Sequence, residues 1–212
     1  MDLQRLIFNN LSRQNNSDRS RLNNYFTSFF NSWSNYYDKK SLKRKKFITA
    51  FCPRINMTSS SIKKYFRIYE DGYLISIIRD PENWYSSAKI HSNSYANIRE
   101  SLKIWEKSVK STVVLKKKYR NKVIIVKFDD LINFPEKTMK KICNIIDIKY
   151  QKNLAKPTFN KIPILSNSSF KAIEGKIDKT VLNRKLRFVD YKLKKIISPY
   201  DKIYKKSLKY KI

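Results

Sequence analysis

The run Tyr73-Leu74-Ile75-Ser76-Ile77-Ile78 restricts the fold more than any other feature of the chain. It is almost unbroken in apolar character, rich in β-branched residues, and bounded by Asp71-Gly72 before it and Arg79-Asp80-Pro81 after it. A run this short and this apolar fits a central parallel strand, covered on both faces. Parallel strands need long crossovers, usually helical, so the neighbouring sequence must supply helices alternating with further strands.

It does. Phe47-Ile48-Thr49-Ala50-Phe51-Cys52 reads as a buried strand stopped by Pro53. Thr58 and the serines after it can cap a helix that turns Ile62, Phe66 and Tyr69 inward. Asp80 caps the next helix, with Pro81 at the first position, where its missing N–H costs nothing. Ile98, Leu102, Trp105, Val109 and Val113 recur at helical steps and predict a long helix over 95–119. Val123 to Phe128 is another strand, and a turn at Asn133 and Pro135 leads to a helix burying Met139, Ile142, Ile145 and Ile146. This alternation predicts an α/β fold, a parallel sheet flanked by helices with right-handed crossovers.

The ends are less regular. Residues 1–24 are polar and Asn-rich and read as a short helix or frayed start. Tyr25, Phe26, Phe29, Phe30, Trp33, Tyr36 and Tyr37 are spaced as on a helix, and core packing is their expected role. Pro157 and Pro163 bracket a loop, and residues 180–197 and 200–210 read as basic helices. The whole is expected to be one domain, 1–212, with its core over 25–175 and a basic helical part over 176–212.

The formal charge is +30, from 47 basic against 17 acidic residues in 212. Nucleic acid or another polyanion is the sharp reading of that figure. Compositional drift is the duller one: Lys, Asn, Ile, Ser and Tyr are abundant throughout, and Lys is scattered, with short clusters at 43–46 and 116–118. The drift reading is preferred, because a face built for phosphates more often interleaves Arg and Gly. Cys52 and Cys143 stand far apart and make no metal-ligand spacing, which favours a reduced, cytoplasmic setting and no metal. No apolar run approaches membrane-spanning length.

Chemistry is expected where ligands bind in open α/β sheets, outside the carboxyl ends of the strands. Arg79 closes a buried strand there and a helix starts at once. A guanidinium can grip a phosphate through parallel hydrogen bonds, and a helix start adds positive potential. Ser87, eight residues on, can present a hydroxyl on the helix face toward Arg79. The competing reading pairs Arg79 with Asp80 or Glu82 on the surface.

Residues Leu74 to Ala88, LISIIRDPENWYSSA, resemble the 3′-phosphate-binding segment of the sulfotransferases that use PAPS (3′-phosphoadenosine-5′-phosphosulfate). That segment is a strand, an Arg-x-Pro-like turn and a Ser eight residues after the Arg. The resemblance implies that Arg79 and Ser87 hold the donor's 3′-phosphate. It also implies a P-loop-like sulfotransferase fold. The order of the downstream elements is similar too: Trp105 on a helix, a strand, Phe128-Asp129-Asp130-Leu131 where many members have Tyr-Glu-Asp-Leu, then Pro135-Glu136. Residues 156–160 through 167–170 are similar to the donor-side loop of bacterial members, and Asn167 to Ser169 carry a donor role or merely cap a turn. The resemblance covers roughly residues 30–175.

The family's other signature is a loop after the first strand, rich in Gly, Ser and Thr with a basic residue, whose N–H groups cradle the 5′-phosphosulfate. Gly72 and Gly175 are the two glycines, and neither lies in such a loop. The first βα unit is therefore expected to be absent, with a second chain as one possible source of it. The resemblance implies transfer of a sulfuryl group from PAPS to a hydroxyl or amine on a carbohydrate, lipid, peptide or small metabolite. The alternatives are an inactive remnant and a non-enzymatic basic module binding nucleic acid. His91 can line an acceptor pocket, though a partly exposed structural histidine is the preferred reading; Glu106 and Asp129 are the candidate bases, and no residue is singled out as catalytic.

Overall fold

The computed structural model describes residues 2–12, 17–36, 47–159, 162–163, 175–183 and 191–212. The chain divides into two compact units, Met1–Asp71 and Gly72–Ile212.

In the first unit, helices α1 (Asp2–Ser12) and α2 (Asp18–Tyr36) pack together, and helix α3 (Ser59–Ile68) follows a single 3-10 turn at Ile55–Met57. α1 answers to the short helix expected at the start, and α2 begins at Asp18, ahead of the aromatic stripe expected to be helical over 25–37. α3 buries Ile62 and Phe66, spaced four apart on one face. Tyr69, just past α3, donates its hydroxyl to Asn23 of α2 at 3.0 Å, and Arg19 of α2 bonds Asp71 at 2.8 Å.

Two expectations fail in this unit. Phe47 to Cys52 forms no strand: the segment is irregular and exposed, with Phe51 94% exposed. Its composition suits a strand, but a strand needs a neighbour to satisfy its N–H and C=O groups, and the regular elements described in this unit are helices. The aromatic stripe of α2 is also incompletely buried. Tyr25 and Phe29 are about half exposed, while Ser28 between them is fully buried. The side chains of Trp33 and Tyr36, and all of Tyr37, lie outside the described residues.

The second unit holds the expected parallel sheet with helices against it. Strand β1 (Leu74–Ile78) leads into helix α4 (Pro81–His91), then a long helix α5 (Ile98–Tyr119) returns the chain to strand β2 (Val123–Lys127). β1 and β2 pair in parallel, Leu74 opposite Val123 and Ile78 opposite Lys127. Helices α6 (Phe128–Asn133) and α7 (Pro135–Ile145) follow β2 directly. A two-residue antiparallel ladder, β3 (Thr158–Phe159) with β4 (Ile162–Pro163), stands where an irregular loop was expected. The last helix, α8 (Tyr191–Ser207), packs against α4 and α5.

The covered strand is β2 rather than β1. Val123, Ile124, Ile125 and Val126 are essentially inaccessible, with Trp105, Val109 and Tyr204 on one face and Ile142 and Met139 on the other. β1 shares only half of that environment. Ser76 and Ile78 turn toward the core, where the Ser76 hydroxyl meets that of Thr112 at 3.1 Å. Ile75 and Ile77, on the opposite face, are 45% and 53% exposed. An apolar run reports that a strand is hydrophobic on both faces, not that both faces are covered.

α8 runs through Pro199 as one helix, where two were expected with a break near that residue. An interior proline costs about 3 kcal/mol in a helix. Burial of Ile197 and Tyr204, on either side of it, offsets that cost. After a 3-10 turn at Leu208–Tyr210, Lys211 bridges in parallel to Ile125 and the Ile212 N–H donates to the Ile125 carbonyl at 3.0 Å. The final residues thus extend the sheet beyond β2.

These differences in cover give a direct test. Leu102→Ala, at a site on α5 with no exposure, is expected to lower unfolding free energy by about 2–5 kcal/mol in urea titrations. Ile77→Thr on the uncovered face is expected to stay within about 0.5 kcal/mol of the parent.

Candidate functional site

Parallel pairing brings the carboxyl ends of β1 and β2 side by side. Register sets Ile78 beside Lys127, so Arg79-Asp80 and Phe128-Asp129 leave the sheet next to each other. Several contacts hold Arg79 at this junction. Its carbonyl accepts the Trp105 indole N–H at 3.1 Å. Its guanidinium stands over the Phe128 ring, 4.6 Å from the centroid, and donates through Nη2 to the Val181 carbonyl. Val181 belongs to a 3-10 turn at Lys179–Asn183, which packs on α6. An arginine stacked on an aromatic ring is held flat and pre-oriented, with its remaining donors fixed in direction.

The start of α4 behaves differently from the expectation of free N–H groups. Asp80 is the cap, as anticipated: its Oδ1 accepts the Asn83 N–H at 2.8 Å and its Oδ2 the Asn83 side-chain amide at 3.0 Å. That carboxylate therefore occupies the helix start itself, and Pro81 has no N–H to offer. Ser87 is half-buried and follows Asn83 by one turn on the same face of α4. Its neighbour Ser86 is buried and bonded to the Glu82 carbonyl, a purely structural contact.

Charge at this end of the sheet is closely balanced. Asp129 pairs with Lys127 at 2.9 Å and Asp130 with Lys211 at 2.5 Å. α8 adds two groups that reading the sequence missed. Burial pushes the Asp201 carboxyl up, and the nearby Asp80 charge pushes it further. The Tyr204 phenol is likewise pushed well above its ordinary range, first by burial and then by Asp129, Asp80 and Asp130, with Arg79 opposing. Neither residue carried a signal: they lie on a helix whose visible character is lysine.

The other candidates fall elsewhere. His91 ends α4 and is exposed. Glu106 pairs with Lys110 one turn along α5 at 2.5 Å. Asn167 to Ser169 lie outside the described residues. Cys52 is exposed, whereas Cys143 is buried and its thiol is pushed up by that burial. Among the described residues no group of His, Cys, Asp and Glu is placed to hold a metal, and no helix is long and apolar enough to cross a membrane.

The first unit contains a second feature of interest. Arg54 has a left-handed backbone, φ 67°, and is followed by the turn at Ile55–Met57, Thr58 at the N-cap of α3, and Ser59, Ser60 and Ser61 in its first turn. Thr58 makes no side-chain cap bond. The hydroxyl-rich start anticipated here is present, but the expected capping bond from Thr58 is not.

A model of the sulfotransferase family matches residues 4–152. Two solved structures share the fold. One is a sulfotransferase domain from the curacin biosynthetic pathway, with 12% identity and a TM-score of 0.52 over 94% of this chain and 78% of that one. The other is a sulfotransferase domain from the Synechococcus PCC 7002 olefin synthase, with 13% identity and a TM-score of 0.56 over 94% and 74%. No curated protein sequence matches the chain.

Asp201 yields a prediction on pH. Its folded-state pKa is raised, so its ionisation opposes folding once pH passes the ordinary carboxylate range, and the penalty is absent below it. Asp201→Asn is expected to match the parent in thermal unfolding near pH 3. Its advantage should grow as pH rises and level off above the raised pKa.

Proposed function

The chain belongs to the sulfotransferase family, and from that membership we propose that it transfers a sulfuryl group from PAPS to a hydroxyl or amine acceptor. The observation that carries this reading is the mounting of Arg79 at the carboxyl end of β1. Phe128 stacks beneath it, Trp105 anchors its backbone, and Ser87 lies two turns along the helix after it. Arg79 and Ser87 hold the 3′-phosphate. The planar guanidinium of Arg79 carries five N–H donors in a rigid fork. A phosphate oxygen is the stronger acceptor for them.

In the reaction, an acceptor oxygen or nitrogen forms a bond to sulfur while the bond from sulfur to the donor's 5′-phosphate oxygen breaks. Adenosine 3′,5′-bisphosphate leaves, and the acceptor proton passes to a base. This chain's part at the 3′-phosphate is binding and orientation: it fixes the donor so that the sulfur is presented in line. Charge on the transferring oxygens must be met by N–H donors or cations elsewhere on the donor.

For the 5′-phosphosulfate loop, the segment Pro53–Ser61 is favoured over absence. It comes after a strand-like sequence, contains a basic residue and four consecutive hydroxyl residues, opens a helix, and lies inside the stretch matched to the family. Only glycine is lacking, and Arg54 adopts the left-handed conformation that glycine supplies at least cost. The N–H groups of the first turn of α3 are the natural anion donors.

Calorimetry with adenosine 3′,5′-bisphosphate tests the reading. Arg79→Ala is expected to weaken binding by about 1.5–3 kcal/mol, the worth of a charge-assisted hydrogen bond. Equal affinity of the two proteins would remove Arg79 from the site. A parent protein that does not prefer the bisphosphate over adenosine 5′-monophosphate, and binds both with steep salt dependence, would instead be a basic polyanion-binding module.

A further inference from the structure

The Tyr204 hydroxyl is buried and has no hydrogen-bond partner among the described residues. The residue is only 9% exposed. Leaving such a group unmade costs about 1–3 kcal/mol. Phenylalanine in its place would pack the same way without that penalty. Tyr204 packs with Ile78, Ile125 and Trp105, at the end of the sheet where β1 passes into Arg79. Burial first, and then the charges of Asp129, Asp80 and Asp130, push its phenol up, with Arg79 opposing.

The neighbouring carboxylates are engaged with other partners. Both Asp80 oxygens accept from Asn83, Asp129 pairs with Lys127, and Asp130 pairs with Lys211. With these acceptors in use, the buried phenol is left as a donor without a partner among the described residues. Burial keeps it protonated across the neutral range. The Val181 carbonyl meanwhile lies against the same guanidinium.

We propose that Tyr204 is a further binding residue for the donor, giving its hydroxyl hydrogen to the 3′-phosphate that Arg79 grips. The proposal rests on the reading of Arg79 as the phosphate ligand. A phosphate oxygen arriving at Arg79 displaces the Val181 carbonyl and, with it, the turn at Lys179–Asn183. The Tyr204 hydroxyl, buried in the unliganded chain, has to become accessible at Arg79 for this contact to form. The C-terminal helix α8 thereby becomes part of the nucleotide site, reaching it from beneath the sheet end.

Tyr204→Phe tests this without a change of shape. Affinities of the parent and variant for adenosine 3′,5′-bisphosphate and for adenosine 5′-monophosphate are measured by calorimetry, alongside thermal unfolding. The expected result is a loss of about ten- to a hundredfold for the bisphosphate, no change for the monophosphate, and an unfolding temperature equal to or above that of the parent. Equal bisphosphate affinity in the two proteins, or an equal loss for both nucleotides, would overturn the role of Tyr204 and leave that of Arg79 standing. Failure of the parent itself to favour the bisphosphate would overturn both.

Discussion

The pairing of β1 with β2 is the constraint on which the second unit depends. Parallel hydrogen bonding fixes both strand ends at one edge, and a register of Ile78 with Lys127 decides which residues meet there. A shift of one residue would move Phe128 from beneath Arg79 and turn each β1 side chain to the opposite face. β2 holds this register because its four apolar residues are enclosed by α5, α7 and α8, so that slippage would expose all of them. The geometry of the site is thus enforced by packing well below it.

The electrostatics of this edge differ from those of the chain as a whole. A protein of charge +30 gathers Asp80, Asp129 and Asp130 around one arginine. Each carboxylate there has a local structural partner: Asn83 for the cap, Lys127 and Lys211 for the pairs. They keep the lysines occupied and define the helix starts. Arg79 is mounted on its aromatic platform and Tyr204 is held in the core. A net charge of this sign attracts anions at long range.

Much of this was legible in the sequence, for identifiable reasons. The strand–Arg–Asp-Pro–helix unit at 74–91 was readable because each signal is local: an apolar run, a cap and a proline at the first helical position. The family was readable from the same segment. Cover over β1 was not readable, since exposure of Ile75 and Ile77 depends on what packs against them. Phe47 to Cys52 misled for the same reason, as strand propensity needs a partner strand. Tyr204 was invisible because its place beside Ile78 depends on packing across more than a hundred residues, on a helix rich in lysine. The hydroxyl-rich start of α3 was legible only as a helix cap, and the left-handed backbone of Arg54 ahead of it has no signature in the residue type.

The two cysteines differ in a way that gives the chain a built-in handle. Cys143 is shielded within α7 and reluctant to ionise, while Cys52 lies open to solvent two residues before Arg54. Thiolate is the reactive form, so alkylating reagents discriminate strongly between such thiols. A maleimide dye would settle on one position of the natural sequence, directly ahead of α3, and report on that segment without any engineered mutation.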